Sequence, residues 1–109
     1  MTRPPFVDHC LELLGRQAKA RRMFGAHGLY VDDLFVAIVA GDDLYLKADA
    51  EAAGRFAAAG GRAFSYVRQG RQMTLGFWTP PAEALDSAAA MQPWLQLALR
   101  AAVAARGRR

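Results

Sequence analysis

The 109-residue sequence contains one cysteine, Cys10, and two histidines, His9 and His27. A single cysteine cannot form an internal disulfide, and the two histidines lack the HxxxH or HxxE spacing of a metal site. Cys10 lies among leucines, so we interpret it as a small core residue. His9 is a poor base for this thiol, because neighbouring residues of a helix point about 100° apart.

Motifs of known chemistry are also missing. The sequence contains no GxGxxG or GxxxxGK[ST] phosphate loop and no GxSxG nucleophile elbow. The carboxylate pairs Asp32-Asp33 and Asp42-Asp43 are typical of solvated turns, where aspartate bonds its own backbone. We therefore predict no enzyme, no catalytic residue, no cofactor and no metal ligand.

Long apolar runs are absent as well. No segment approaches the roughly 20 apolar residues of a membrane-spanning helix. Residues 1–6 do not contain the apolar segment of a signal peptide. We expect a cytoplasmic protein with a reduced thiol and no membrane partner.

The formal net charge is +4, and Arg106, Arg108 and Arg109 supply most of that excess. We interpret residues 1–105 as a single domain and residues 106–109 as a basic C-terminal tail. The body of the chain is close to neutral, which argues against a large dedicated DNA-binding face.

Helical patterns occur at three places. Apolar residues recur at helical spacing over Pro5–Arg16, which predicts the first helix. Asp49 is a good N-cap for a second helix over Ala50–Ala59. A last helix is predicted to begin near Pro93-Trp94 and to end at Ala105. The last helix is apolar around most of its circumference. It therefore either packs on both the sheet and the first helix or contacts a partner chain.

Strand patterns fill the intervening segments. Ala63–Arg68 and Arg71–Trp78 alternate on either side of Gln69-Gly70, which predicts a hairpin, and Asp32-Asp33 predicts another tight turn. Residues 35–39 hardly alternate, which is typical of a central strand covered on both faces. The predicted order is helix, three strands, helix, two strands, helix.

The segment from Arg21 to Tyr30 is the best candidate for a binding surface. Two arginines precede a Met-Phe pair, and glycines stand at both ends of a predicted turn over Gly25–Gly28. Adjacent strand residues point to opposite faces, so at least one arginine can contact an anion or a partner's carboxylate. The candidate interaction surface consists of Arg21, Arg22, Phe24, Gly25, His27, Gly28 and Tyr30.

The stretches Ala20–Gly25 and Gly28–Tyr30 resemble the signature of the TfoX N-terminal domain family. Four further segments agree with the family in order and spacing, namely Phe35–Ala37, Leu44–Lys47, Phe64–Tyr66 and Pro93-Trp94. The resemblance extends from Phe6 to Ala104. It implies a two-layer α+β domain of order α-β-β-β-α-β-β-α, with helices packed on an antiparallel sheet.

The resemblance also implies a function. TfoX-like proteins are bacterial regulators that promote expression of DNA-uptake (competence) genes, and they carry a second, C-terminal domain. We expect this chain to be a stand-alone N-terminal-type domain that acts in transcription regulation by binding a protein partner. The family offers no catalytic residues to transfer.

Three alternatives remain open. The chain could bind nucleic acid directly through Arg16, Lys19, Arg21, Arg22 and the arginine-rich tail. A small-molecule site or an enzyme could be built around Arg22, His27 and Tyr30, if these side chains converge in a pocket. A homodimer could form through the last helix or a sheet edge.

Overall fold

The computed structural model describes residues 4–23 and 25–107. Within these ranges the helices are α1 (Pro5–Leu14), α2 (Ala50–Ala58) and α3 (Ala88–Arg106), with a short 3-10 helix at Ala82–Asp86. The strands are β1 (Ala18–Met23), β2 (Ala26–Val31), β3 (Leu34–Ala40), β4 (Asp43–Lys47), β5 (Ala63–Arg68) and β6 (Arg71–Trp78).

The six strands form one antiparallel sheet in the order β1-β2-β3-β4-β6-β5. Strands β4 and β6 are paired only where Leu46 faces Trp78 and Lys47 faces Phe77. The rest of the β5–β6 hairpin therefore extends beyond β4. The two edges of the sheet, β1 and β5, keep unpaired backbone groups.

The predicted α+β class and antiparallel sheet are confirmed, but four strands precede α2 where the predicted order has three. The difference arises at the first hairpin. Met23 pairs with Ala26, so residues 26–28 belong to β2 and not to the predicted turn.

Residues with positive φ close the β2–β3 and β5–β6 hairpins. Asp32 and Asp33 have φ of 51° and 67°, and Gln69 and Gly70 have φ of 54° and 76°. Two consecutive left-handed residues make the type I′ turn, whose twist matches that of paired strands. Both turn predictions are confirmed.

The helices cover one face of the sheet. Val7, Cys10 and Leu13 of α1 and Met91 and Leu95 of α3 belong to one buried core, together with strand residues such as those at 29, 39 and 46. Helix α3 packs against both the strands and α1, which is one of the two outcomes that its apolar circumference predicts. No helix within the described ranges combines the length and the apolar content needed to cross a bilayer.

Caps fix where the helices begin. The Asp49 side chain accepts a hydrogen bond from Ala52 N at 2.8 Å, as predicted for the start of α2. The predicted start of α3 near Pro93 is wrong. Helix α3 begins at Ala88, because the Ser87 hydroxyl accepts from Ala90 N at 3.0 Å, and Pro93 lies inside the helix.

Strand β3 has buried side chains on both faces, as its weak alternation predicts. Val36, Ala37 and Val39 lie in the core under the helices, whereas Ile38 is buried in a second cluster with Phe35 packed against it. The pairing of β3 with β2 is irregular, because Leu29 pairs with Ala37 whereas the next residue, Tyr30, pairs with Phe35. The bulge leaves consecutive apolar residues where a regular strand would alternate.

Candidate functional site

The β1–β2 hairpin carries the residues that the sequence indicates as an interaction surface, and it divides them between two faces. Arg21 pairs with Gly28, and Arg22 pairs with His27. Since alternate residues point to opposite sides of a sheet, Arg21, Gly28 and Tyr30 share the face that points away from the helices. Arg22 and His27 lie on the other side of the hairpin.

This division bears on the predicted small-molecule site. Arg22 and His27 share a face, but Tyr30 points the other way, so the three side chains do not converge. Gly25 lies in the turn with φ of 81°, a conformation that favours glycine. Phe24 lies outside the described residues.

Gly28 is needed for a close approach and not for a turn. A Cβ atom at this position would lie 2.5 Å from Met23 Cε and 3.1 Å from Phe35 Cε1. The Met23 side chain therefore passes over the Gly28 backbone, which only glycine allows without displacement. Gly28 shapes the face on which Arg21 and Tyr30 lie.

That face contains an apolar groove of about 350 Å³. Its walls come from the strands alone, and they consist of Met23, Ala26, Ile38, Phe64, Tyr66 and Leu75. The second buried cluster, which includes Tyr45 and Phe77, forms the adjoining surface, and none of the described helices contributes a residue to it. The helices thus leave this side of the sheet uncovered within residues 4–23 and 25–107.

The groove brings together strands from the two ends of the sheet. Met23 lies on edge strand β1, and Phe64 and Tyr66 lie on edge strand β5. Both can line one groove only if the sheet curls, so that the β5–β6 hairpin faces the β1–β2 hairpin. Two side chains on this hairpin remain part-exposed, Met73 at 40% and Leu75 at 39%.

Sequence reasoning did not assign Ile38, Phe64, Tyr66 or Leu75 to a site. The available signal was the alternation of β5 and β6, which places Phe64 and Tyr66 on one face of β5, and Met73, Leu75 and Phe77 on one face of β6. Nothing in the local pattern shows that this face opposes Met23.

Aromatic rings and cations adjoin the groove. The Arg21 guanidinium carbon lies 5.7 Å from the centre of the Tyr30 ring, which stacks on Phe35 at 5.1 Å. Lys47 Nζ lies 5.0 Å from the centre of the Phe77 ring. Such cation–π contacts hold positive charge against the aromatic surface.

The residues with acid–base or metal-binding potential do not form a reactive centre. Burial raises the pKa of the Cys10 thiol to about 12, so the thiol stays protonated at neutral pH. Its neighbour His9 contacts the carbonyl oxygen of Leu85 through Nε2 at 2.9 Å. Across the described residues, no three His, Cys, Asp or Glu side chains are placed to hold a metal ion.

A comparison with protein-family models matches the TfoX N-terminal domain over residues 10–102. The chain belongs to the TfoX N-terminal domain family. The match begins within α1 and ends within α3, so it contains all six strands and every residue that lines the groove. The predicted resemblance is thereby confirmed. A comparison with curated proteins finds no match to this TfoX N-terminal domain.

Proposed function

We propose that this TfoX N-terminal domain is a cytoplasmic, non-enzymatic regulatory module that acts by binding another protein, and that its action is linked to transcriptional control of DNA uptake. The observation that carries the proposal is the apolar groove on the sheet face opposite the helices. Its occupant would contact the groove residues together with Arg21, Gly28 and Tyr30.

The composition of this face supports protein binding. Contiguous apolar surface rimmed by charged residues is typical of interaction sites, whereas isolated exposed apolar residues are ordinary. Leu75, which lines the groove, and Met73, on the same face of β6, are exposed, and the aromatic residues Tyr45 and Phe77 form part of the adjoining cluster. Apart from the Tyr66 hydroxyl, the groove walls are apolar, so binding fits this surface better than catalysis does.

Site-specific photo-crosslinking in bacterial cells tests the binding step. A photoreactive amino acid at position 75 should capture a partner, whereas one at exposed Glu12, on α1, should not. Equal capture at both positions, or none at position 75, would contradict the proposed surface.

The regulatory step has its own test. Cells that lack the gene should recover transcription of DNA-uptake genes with the wild-type chain but not with Leu75→Arg. Val67→Arg is the matched control, because Val67 lies on β5, points away from the groove and is 74% exposed. Full recovery with Leu75→Arg would refute a regulatory role for the groove.

Direct nucleic-acid binding is the second candidate, and one observation favours it. Arg16, Arg21 and Arg22 are all exposed along or just before β1, and Lys19 stands among them. Phosphate contacts from these residues would make binding strongly salt-dependent. Filter binding of labelled single-stranded and duplex DNA at low salt tests this candidate, and no retention at tens of micromolar protein would remove it.

Self-association is a separate proposal. Helix α3 packs on the sheet and on α1, so the proposal rests on edge strands β1 and β5, which could each pair with a second copy. Light scattering at two protein concentrations distinguishes a homodimer from a monomer.

A further inference from the structure

We infer that the groove binds an acidic segment of a partner protein, in which bulky apolar side chains enter the groove and carboxylates contact arginines on its two rims. This inference rests on the proposed protein-binding function and adds the chemistry of the partner.

The apolar part of the argument comes from the groove walls. Met23, Ala26, Ile38 and Leu75 present only aliphatic or thioether surface, and Phe64 adds an aromatic ring. Apart from the Tyr66 hydroxyl, these walls offer no side-chain hydrogen-bond partner, so most polar groups placed there would lose their water without compensation. A volume of about 350 Å³ instead suits large apolar side chains of a partner.

The charge part comes from the two hairpins that enclose the groove. Residues 18–31 and 63–78, which form these hairpins, contain no Asp or Glu, although they contain five of the chain's fourteen Lys and Arg residues. Strand alternation places Lys19 and Arg21 of β1 on the groove face, together with Arg68 and Arg71 of the opposite hairpin. Arginine binds carboxylates through paired, charge-assisted hydrogen bonds.

No Asp or Glu is among the residues that line the groove. Asp33 shares a depression with Lys19, Arg21 and Tyr30, but it stands in the β2–β3 turn, at the end of β2 away from Met23. Asp43 contacts Arg62 at 3.3 Å. Arg62 and Arg100 each form an ion pair with a carboxylate, and neither Arg68 nor Arg71 takes part in these two pairs.

Two other occupants fit less well. A second copy placed by two-fold symmetry would bring the same cations against one another. A nucleic-acid strand would satisfy the cations and could stack on Phe64 and Tyr66, but it would leave the aliphatic walls of Met23, Ala26, Ile38 and Leu75 without an apolar partner. An acidic polypeptide satisfies both the walls and the rims.

A random dodecapeptide display library selected on the wild-type chain tests the inference. We expect the recovered peptides to combine Asp or Glu with Leu, Ile, Phe or Trp. The most enriched peptide, labelled with a fluorophore, is then titrated with the chain by fluorescence anisotropy. Its affinity should fall as NaCl is raised, because exposed charge pairs are screened.

Two groove variants and two matched controls locate the binding. Leu75→Ser and the double variant Arg68→Glu/Arg71→Glu should each weaken binding by about tenfold or more. Val67→Ser, on the opposite face of β5, and Arg55→Glu, exposed on α2, should change it by less than about twofold. Circular dichroism of each variant confirms that the fold is retained.

The inference is overturned if the recovered peptides lack carboxylates, if none is enriched, or if groove and control variants behave alike. It is also overturned if a labelled single-stranded oligonucleotide binds more tightly than the best peptide and Leu75→Ser abolishes that binding. Photo-crosslinking at position 75 separates the two levels. If position 75 captures a partner in cells but the library yields no acidic peptides, the proposed protein-binding function stands and only the acidic character of the partner is refuted.

Discussion

Replacement of Gly28 by alanine probes the packing that forms one wall of the groove. The new Cβ would lie 2.5 Å from Met23 Cε and 3.1 Å from Phe35 Cε1. The end of the methionine side chain is flexible, so it can move aside. The movement would displace Met23 from the wall that it provides.

Two opposing effects set the magnitude. Alanine is favoured over glycine within a strand by about 0.5–1 kcal/mol. Forcing an extra methyl group into a packed site costs about 1–3 kcal/mol. We therefore expect Gly28→Ala to destabilise the domain by about 1 kcal/mol, taking the middle of both ranges.

A double-mutant cycle followed by urea denaturation isolates the contact. In a Met23→Ala background the main clash is gone, so Gly28→Ala should become neutral or stabilising, with a coupling energy of about 1 kcal/mol or more. The same change in free energy of unfolding in both backgrounds would refute the packing of Met23 on Gly28.

Further predictions concern stability away from the groove. Phe56→Ala should cost about 4 kcal/mol in urea denaturation, because this fully buried ring packs 5.0 Å from Trp94; a loss below about 1 kcal/mol would contradict its place in the core. Gly54→Ala should stabilise α2 by about 0.8 kcal/mol, because Gly54 is exposed and its added Cβ would meet no atom within 4 Å; a lower melting temperature would count against this. The raised pKa of Cys10 means that the folded state retains the thiol proton after the unfolded state has lost it. Stability should therefore fall by about 1.4 kcal/mol per pH unit from the ordinary thiol pKa upward, through to a pH of about 12. Chemical denaturation of the wild type and Cys10→Ala across this range should show the extra slope only in the wild type, and parallel curves would argue against it.

Features with a local physical cause could be predicted from the sequence. Asp32-Asp33 and Gln69-Gly70 form the predicted turns, because their residue types tolerate positive φ. Asp49 caps α2 through its own side chain. The arginine pair Arg21-Arg22 was expected to expose at least one side chain, and both are exposed.

Errors arose where two local signals competed. Glycines at 25 and 28 suggested one long turn, but only Gly25 has positive φ, and Gly28 serves the approach of Met23 instead. Pro93 suggested the first turn of α3, although the Ser87 cap starts the helix five residues earlier. In the first case the packing of Met23 on Gly28 determines the structure, and in the second case the Ser87 cap does.

The groove itself could not be predicted, because it depends on strand order. Met23 and Tyr66 are far apart in sequence and lie on the two edge strands of the sheet. They meet only because β6 pairs briefly with β4 and the sheet then curls. The apolar periodicity of a single strand cannot predict that the two edge strands approach each other.

The most direct test of the account is an NMR titration of the 15N-labelled chain with the acidic peptide recovered by selection. We predict that the largest amide shifts occur at groove residues such as Met23, Ile38, Tyr66 and Leu75, with little change in α1 and α3. Shifts concentrated on the helices, with the groove residues unchanged, would contradict the claim that the uncovered sheet face is the binding surface.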